Sequence, residues 1–188
     1  MAVTATPQPR SLRYGTPMLL LLLTALATAH ACLHLQHHQD TFPWDSLQLL
    51  QDMAPSPTQP CQHQQGPVFP DALLHNTHPQ QAAAIALRIL QHLFATFSSP
   101  STPQHWDAQA RHELLNKIQH YIQQLQQCLL ANGMLSQAQG SRNLLLSVNR
   151  YFMDIQDFLH THSYSACTWD QIRLQARTCF QNMDTLIR

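Results

Sequence analysis

Residues 114–129 read LLNKIQHYIQQLQQCL, and residues 144–159 read LLLSVNRYFMDIQDFL. In both stretches, apolar or cysteine side chains recur at offsets 0, 1, 4, 7, 8, 11, 14 and 15, which places them on one face of an α-helix. Polar side chains, mainly glutamine in the first stretch, occupy most of the other positions. Two helices with the same apolar face indicate a shared core, so this pattern predicts a helical bundle.

Three further stretches show helical spacing. One runs from about residue 44 to 53, one follows Pro79 and ends at residues 98–103, and one runs from near Ser165 to the chain end. Pro103 suits the first turn of the helix that follows it. The predicted inward residues of the second and fifth helices are Ile85, Ile89, Leu90, Leu93, Phe94, Phe97, Trp169, Ile172, Ala176, Cys179, Phe180, Met183 and Ile187.

The connection between the first two helices is long and rich in proline. Residues 55–79 hold six of the twelve prolines of the chain, and proline interrupts helices because it lacks the N–H donor. No segment alternates at period two for long enough to indicate a sheet. The sequence therefore predicts an all-α bundle of five helices with long crossover loops, an arrangement typical of helical cytokines.

The N-terminus has the three parts of a secretory signal peptide. Arg10 and Arg13 precede the apolar run 18–27, and Ala29-His30-Ala31 forms a small-x-small cleavage site. The apolar run is shorter than the ~20 residues that a membrane-spanning helix needs. We therefore predict a signal peptide at 1–31 and one secreted, extracellular domain at 32–188, with no membrane insertion.

The charge of the chain argues against several function classes. Arg10 and Arg13 fall in the predicted signal peptide, which leaves eight basic and ten acidic residues in the mature part. That balance gives no basic stripe, so we expect no nucleic-acid partner. The four glycines form no phosphate-binding loop, and no catalytic constellation is apparent, so we expect neither an enzyme nor a cofactor.

The histidines raise the possibility of a metal site. His34, His37 and His38 cluster near the mature N-terminus, and His75 and His78 lie in the long loop. A zinc site needs three or four ligands at regular spacing, and this set is irregular. We expect no physiological metal site, although a His-rich secreted binding or carrier protein remains an alternative.

Five cysteines allow fifteen ways to form two disulfides. Cys179 falls on the inward face of the fifth helix, where a cysteine usually acts as a small buried hydrophobe. From the positions of the other four, we pair Cys32 at the mature N-terminus with Cys128, and Cys61 in the proline-rich loop with Cys167. A lipidated Cys32 fits less well, because the preceding residues match an ordinary cleavage site.

Several segments resemble type I interferons, most closely the avian alpha/beta group. Residues 164–173, YSACTWDQIR, resemble the family segment Tyr-Ser-x-Cys-Ala-Trp-Glu-Val-Val-Arg at the start of the last helix. Residues 125–128, 49–53 and 69–70 resemble family segments in the third helix, the first helix and the first long loop. The four paired cysteines also fall at nearly the family separations, and the resemblance covers essentially all of 32–188.

This resemblance implies a monomeric cytokine that binds a type I interferon receptor of two different chains. Receptor binding would start JAK-STAT signalling and induce an antiviral state. In the family, one receptor chain contacts the first helix, the long loop and the last helix, and the other contacts the second to fourth helices. The corresponding candidate residues of this chain are Asp170, Arg173, Leu174, Arg177, Gln65 and Phe69.

Helical geometry supports part of this assignment. At ~100° per residue, Leu174 points almost opposite the core stripe, with Asp170, Arg173 and Arg177 on its flank. The simpler alternative is a solvated face with an Asp170–Arg173 ion pair. Gln65 and Thr178 stand where the family carries basic residues, so the contacts cannot be copied directly. A different helical cytokine with another receptor is the alternative function.

Overall fold

Helices account for most of the residues that the structure describes. The structure is a computed structural model, and it describes residues 42–54, 66–75, 79–131 and 142–187. Its elements are α1 (Phe42–Met53), a 3₁₀ turn (Asp71–Leu73), α2 (Pro79–Phe97), α3 (Ala108–Ala131), α4 (Arg142–Thr161) and α5 (Ala166–Ile187). These ranges contain no β-strand, and the predicted all-α fold of five helices is confirmed.

Several sequence-based predictions fall outside these ranges. They are the signal peptide at 1–31, the cysteines Cys32 and Cys61, the loop residue Gln65, and the histidines His34, His37, His38 and His78. These remain predictions.

The five helices surround one continuous core. α2 packs against α3, α4 and α5, and α5 packs against α1, α2 and α4, so these two helices each contact three others, and α1 also packs against α3. The predicted apolar face of α2 is buried, although Phe94 is only partly so. In α5, the predicted inward residues from Trp169 to Met183 are likewise buried. Burial of these faces supplies most of the driving force for a bundle of this kind.

Aromatic pairs connect helices that are distant in sequence. Phe42 of α1 stacks on Tyr121 of α3 with ring centroids 4.2 Å apart. Trp106, just before α3, meets Trp169 of α5 edge to face at 5.5 Å. Such arrangements suit the charge distribution of aromatic rings, so these pairs also fix how the helices sit against each other.

The start of α3 differs from the prediction. The helix begins at Ala108 rather than near Pro103, because Asp107 provides the cap: its Oδ1 accepts a hydrogen bond of 2.7 Å from the Ala110 amide. The Asp107 amide donates to the Met53 carbonyl at 2.8 Å. The residue that starts α3 thus also ties it to the end of α1.

The connection between α4 and α5 is a tight reversal. Ser163 and Tyr164 adopt left-handed backbone angles, with φ of 52° and 53°. The Tyr164 amide donates to the Leu159 carbonyl at 2.9 Å. Ser165 then starts α5, because its Oγ accepts a hydrogen bond of 3.3 Å from the Thr168 amide.

Candidate functional site

A groove lies between the outward faces of α1 and α5. On each of the two helices, most of the lining residues are three or four positions apart and therefore lie on one face. The lining residues are Trp44, Leu47, Gln48, Leu50, Gln51, Arg173, Leu174, Arg177 and Gln181. Three of the six site candidates predicted from the sequence line this groove, and a fourth, Asp170, contacts one of them.

Arg173 is largely enclosed and joins α5 to α1. Its side chain is 17% exposed, and its Nε lies 3.7 Å from Oδ1 of Asp170. Its Nη1 donates a hydrogen bond of 3.4 Å to the Leu50 carbonyl. The predicted Asp170–Arg173 pair therefore forms within α5, and the hydrogen bond from Arg173 to the Leu50 carbonyl connects the two sides of the groove.

Leu174 and Arg177 face outward on the same side of α5. Leu174 is 47% exposed, in keeping with its predicted position opposite the core stripe. Arg177 is exposed and forms no ion pair with any described residue. Both side chains are therefore accessible to a partner.

Phe69, a contact residue predicted from the family resemblance, lies in the core of the described structure. Its side chain is only 5% exposed and packs edge to face on Tyr151, with ring centroids 5.5 Å apart. The long loop thus uses Phe69 as a core residue that secures it to the bundle. Gly66 of the same loop lies against α5, since a Cβ atom there would be 3.6 Å from Nε2 of Gln175.

Trp44 is a groove residue that the sequence reasoning missed. It lies in the first turn of α1 and is 66% exposed, whereas Trp106 and Trp169 are buried. The helical spacing indicates this exposure. Trp44 lies six residues before the buried Leu50, which places it about 120° away around the helix axis, on a different face. The helical rotation that we applied to Leu174 would have identified Trp44 as well.

The charges of the α1–α5 groove have one sign. Its charged lining residues are Arg173 and Arg177, and the others are apolar or carry amides. Beside the groove, Asp170 pairs with Arg173, and Asp52 accepts a hydrogen bond of 2.9 Å from the lining residue Gln48. The groove therefore offers apolar surface beside a free positive charge.

A second groove lies on the bundle between α2 and α4. Its lining residues are His92, Ala95, Thr96, Ser99, Phe152, Met153, Gln156 and Asp157. Met153 is exposed, and the groove is lined by both apolar and polar side chains.

His92 connects the two helices of this second groove. Its ring stacks on Phe152 with centroids 4.6 Å apart, and its Nε2 lies 2.9 Å from Oδ1 of Asn149. The same Asn149 oxygen accepts a hydrogen bond of 2.8 Å from Nε of Arg88. Burial, together with the positive charge of Arg88, lowers the pKa of His92, although the hydrogen bond with Asn149 opposes the shift.

The three described cysteines have two different states. Cys128 and Cys167 are each disulfide-bonded, and Cys179 is free and buried. Burial raises the pKa of the Cys179 thiol to about 12, although a weak hydrogen bond to Tyr151 opposes the shift. The pairing of Cys128 with Cys32, and of Cys167 with Cys61, remains a prediction.

Two further searches concern only the described part of the chain. In it, no group of three or more His, Cys, Asp or Glu side chains is arranged to hold a metal ion. None of the described helices has both the length and the apolar character needed to cross a membrane.

Comparison with known proteins identifies the family. The sequence model of the interferon alpha/beta domain matches residues 35–188. Interferon type B of Gallus gallus is 55% identical over 91% of this chain and 85% of that protein. The interferon of Meleagris gallopavo is 47% identical over 100% of this chain and 98% of that protein.

A solved structure supports the fold independently of close sequence similarity. Zebrafish interferon 2 superposes with a TM-score of 0.66, covering 77% of this chain and 96% of its own, at 17% sequence identity. Together, the family match, the bird relatives and the shared helical fold show that this chain belongs to the interferon alpha/beta family and is a cytokine of the interferon class.

Proposed function

We propose that this chain is a secreted type I interferon that binds a two-chain cell-surface receptor, activates JAK-STAT signalling and induces an antiviral state. The observation that carries the proposal is the α1–α5 groove, in which a chain of this family exposes apolar side chains beside the free charge of Arg177. Interfaces commonly combine buried aromatic or aliphatic anchors with arginine.

The two receptor chains bind two different faces of the bundle. One chain binds the α1–α5 groove with the adjoining loop, and the other binds the side formed by α2 to α4. The second groove, with the exposed Met153, lies on that other side. Because the two faces are separate, one monomer can bind both receptor chains at once. This binding requires no cofactor.

Export of the chain would precede receptor binding. A signal peptide at 1–31 would be removed, and the protein would act as residues 32–188 with the disulfides Cys32–Cys128 and Cys61–Cys167. Oxidising compartments preserve such bonds.

An antiviral reporter assay tests this function. Refolded residues 32–188 would be added to avian cells and, in parallel, to mammalian cells. We expect reporter induction in avian cells, blocked by a JAK inhibitor, and its loss after reduction and alkylation of the protein. Silence in both cell types, from a sample shown to be helical and disulfide-bonded, would reject the proposed receptor.

A further inference from the structure

Trp44 is an exception among the tryptophans of this chain. Trp106 and Trp169 pack on each other within the core, but two-thirds of the Trp44 surface is exposed. The buried residues of α1 are Phe42, Pro43, Ser46, Leu50 and Met53, and they attach the helix to the bundle without it. The fold therefore gives no reason for a large aromatic side chain at this position.

The surroundings of Trp44 are suited to a partner. It lines the same groove as Leu174, so two exposed apolar side chains from different helices share one surface. The hydrogen bond from Arg173 to the Leu50 carbonyl connects the two helices, so the groove is formed without a partner present. A preformed site reduces the ordering cost of association.

The charge of the groove specifies the chemistry of the partner. Arg177 is exposed and has no ion-pair partner in the described part of the chain, and no acidic residue lines the groove. A carboxylate on the partner would complement this charge, and burial beside apolar groups would strengthen the hydrogen bonds between them.

We propose that Trp44 is the main apolar anchor of the α1–α5 groove, and that the receptor chain bound there presents an apolar side chain next to a carboxylate. This inference rests on the proposed function, because it takes a receptor chain as the occupant of the groove. Trp44 and Leu174 contact the apolar side chain, and Arg177 binds the carboxylate.

Binding of purified receptor ectodomains tests the inference. Each of the two chicken type I interferon receptor ectodomains would be immobilised separately, and residues 32–188 would be passed over both by surface plasmon resonance. We expect Trp44→Ala to weaken binding to one ectodomain by at least about tenfold, mainly through faster dissociation, and to leave binding to the other unchanged. Trp44→Phe should retain part of the affinity.

A matched control separates anchoring from general loss of apolar surface. Leu130 on α3 is 63% exposed, close to the value for Trp44, and it lines neither groove. Leu130→Ala should leave binding to the Trp44-dependent ectodomain unchanged. Circular dichroism of each variant would establish that the helical fold is retained.

Charge reversal tests the carboxylate. Arg177→Glu should weaken binding to the same ectodomain as Trp44→Ala does, and Arg177→Gln should reduce the dependence of association on salt concentration. Loss of affinity for the other ectodomain instead would contradict the assignment.

The two levels of the proposal fail in different ways. If the unaltered protein binds neither ectodomain, the proposed function is overturned, and the inference with it. If the unaltered protein binds but folded Trp44→Ala and Arg177→Glu bind equally well, the function stands and the inference is overturned.

Discussion

Arg173 and Arg177 lie one helical turn apart on α5 but have different surroundings. Arg173 is largely enclosed, and it pairs with Asp170 and donates a hydrogen bond to the Leu50 carbonyl. Arg177 is exposed and has no such partner among the described residues. The first arginine therefore positions the groove, and the second is available to bind.

This difference predicts separable effects of two alanine substitutions. Arg173→Ala should lower the free energy of unfolding by about 1 kcal/mol, because an interhelical hydrogen bond from a charged group is lost and Asp170 loses its partner. Arg177→Ala should change it by less than about 0.5 kcal/mol. Urea denaturation followed by circular dichroism measures both, and equal stabilities would remove the positioning role of Arg173.

His92 predicts a local dependence of stability on pH. Its pKa in the folded protein is lowered, so the unfolded chain takes up the proton more readily as the pH falls below about 6.5. The contribution of His92 to stability is therefore fully present above about pH 6.5. It is lost as the pH falls from there to the lower pKa of the folded protein. The groups around the ring are Arg88 on α2, Asn149 and Phe152 on α4, and the groove residue Asp157.

The test compares variants at two pH values. Between about pH 7.5 and about pH 5, unaltered protein should lose more thermal stability than His92→Gln, which cannot titrate. His112→Gln, an exposed substitution on α3, provides the control and should behave as the unaltered protein does. An identical pH dependence in all three proteins would show that His92 does not contribute.

At the scale of elements, the start of α3 depends on one side chain. Asp107 caps the helix through the Ala110 amide, and its own amide holds the end of α1. Asp107→Ala should lower the free energy of unfolding by about 1 kcal/mol, whereas Asp107→Asn should retain most of it, because asparagine is an equally good cap. Chemical denaturation of the two variants checks this, and equal losses would mean that the carboxylate charge matters more than the cap.

Helix positions could be predicted from the sequence where apolar spacing is regular. The stripes of α2 and α5 correspond to buried faces because periodic burial is a property of a single helix. The start of α3 could not be placed, since Pro103 and Asp107 are both suitable starts and the bond to Met53 favours the later one. Contacts between segments that are distant in sequence determine which of two possible residues starts a helix.

The candidate site could be predicted only in part, for the same reason. The angular position of Leu174 on α5 correctly predicted that its side chain is exposed. The same reasoning could not show that Arg173 donates a hydrogen bond to the Leu50 carbonyl on another helix. Phe69 is a receptor-contact candidate by family resemblance, and the structure shows its side chain packed on Tyr151 in the core. Residues in loops have no periodicity from which to infer burial.

At the scale of the whole molecule, the core and the disulfides act on different parts of the fold. The buried cluster connects all five helices and includes the loop residues Phe69 and Leu73. Among the other described residues of the long loop, Leu74 is partly buried against the core and Val68 is exposed. A disulfide from this loop to α5 would therefore restrict a segment that the core holds at only a few points.

The predicted pairing can be tested by removing one bond completely. The Cys61→Ser, Cys167→Ser double variant should keep a Cys32–Cys128 bond and lose up to about 4.7 kcal/mol of stability, the chain-entropy limit for a loop of about 100 residues. Peptide mapping without reduction would identify the remaining bond, and urea denaturation would measure the loss. Cys179→Ala is the control: it removes the free buried thiol and should cost only on the order of 1 kcal/mol, leaving both disulfides intact. A peptide joining Cys61 to Cys128 in the unaltered protein would show that the pairing is wrong, and that the long loop is attached to α3 instead of α5.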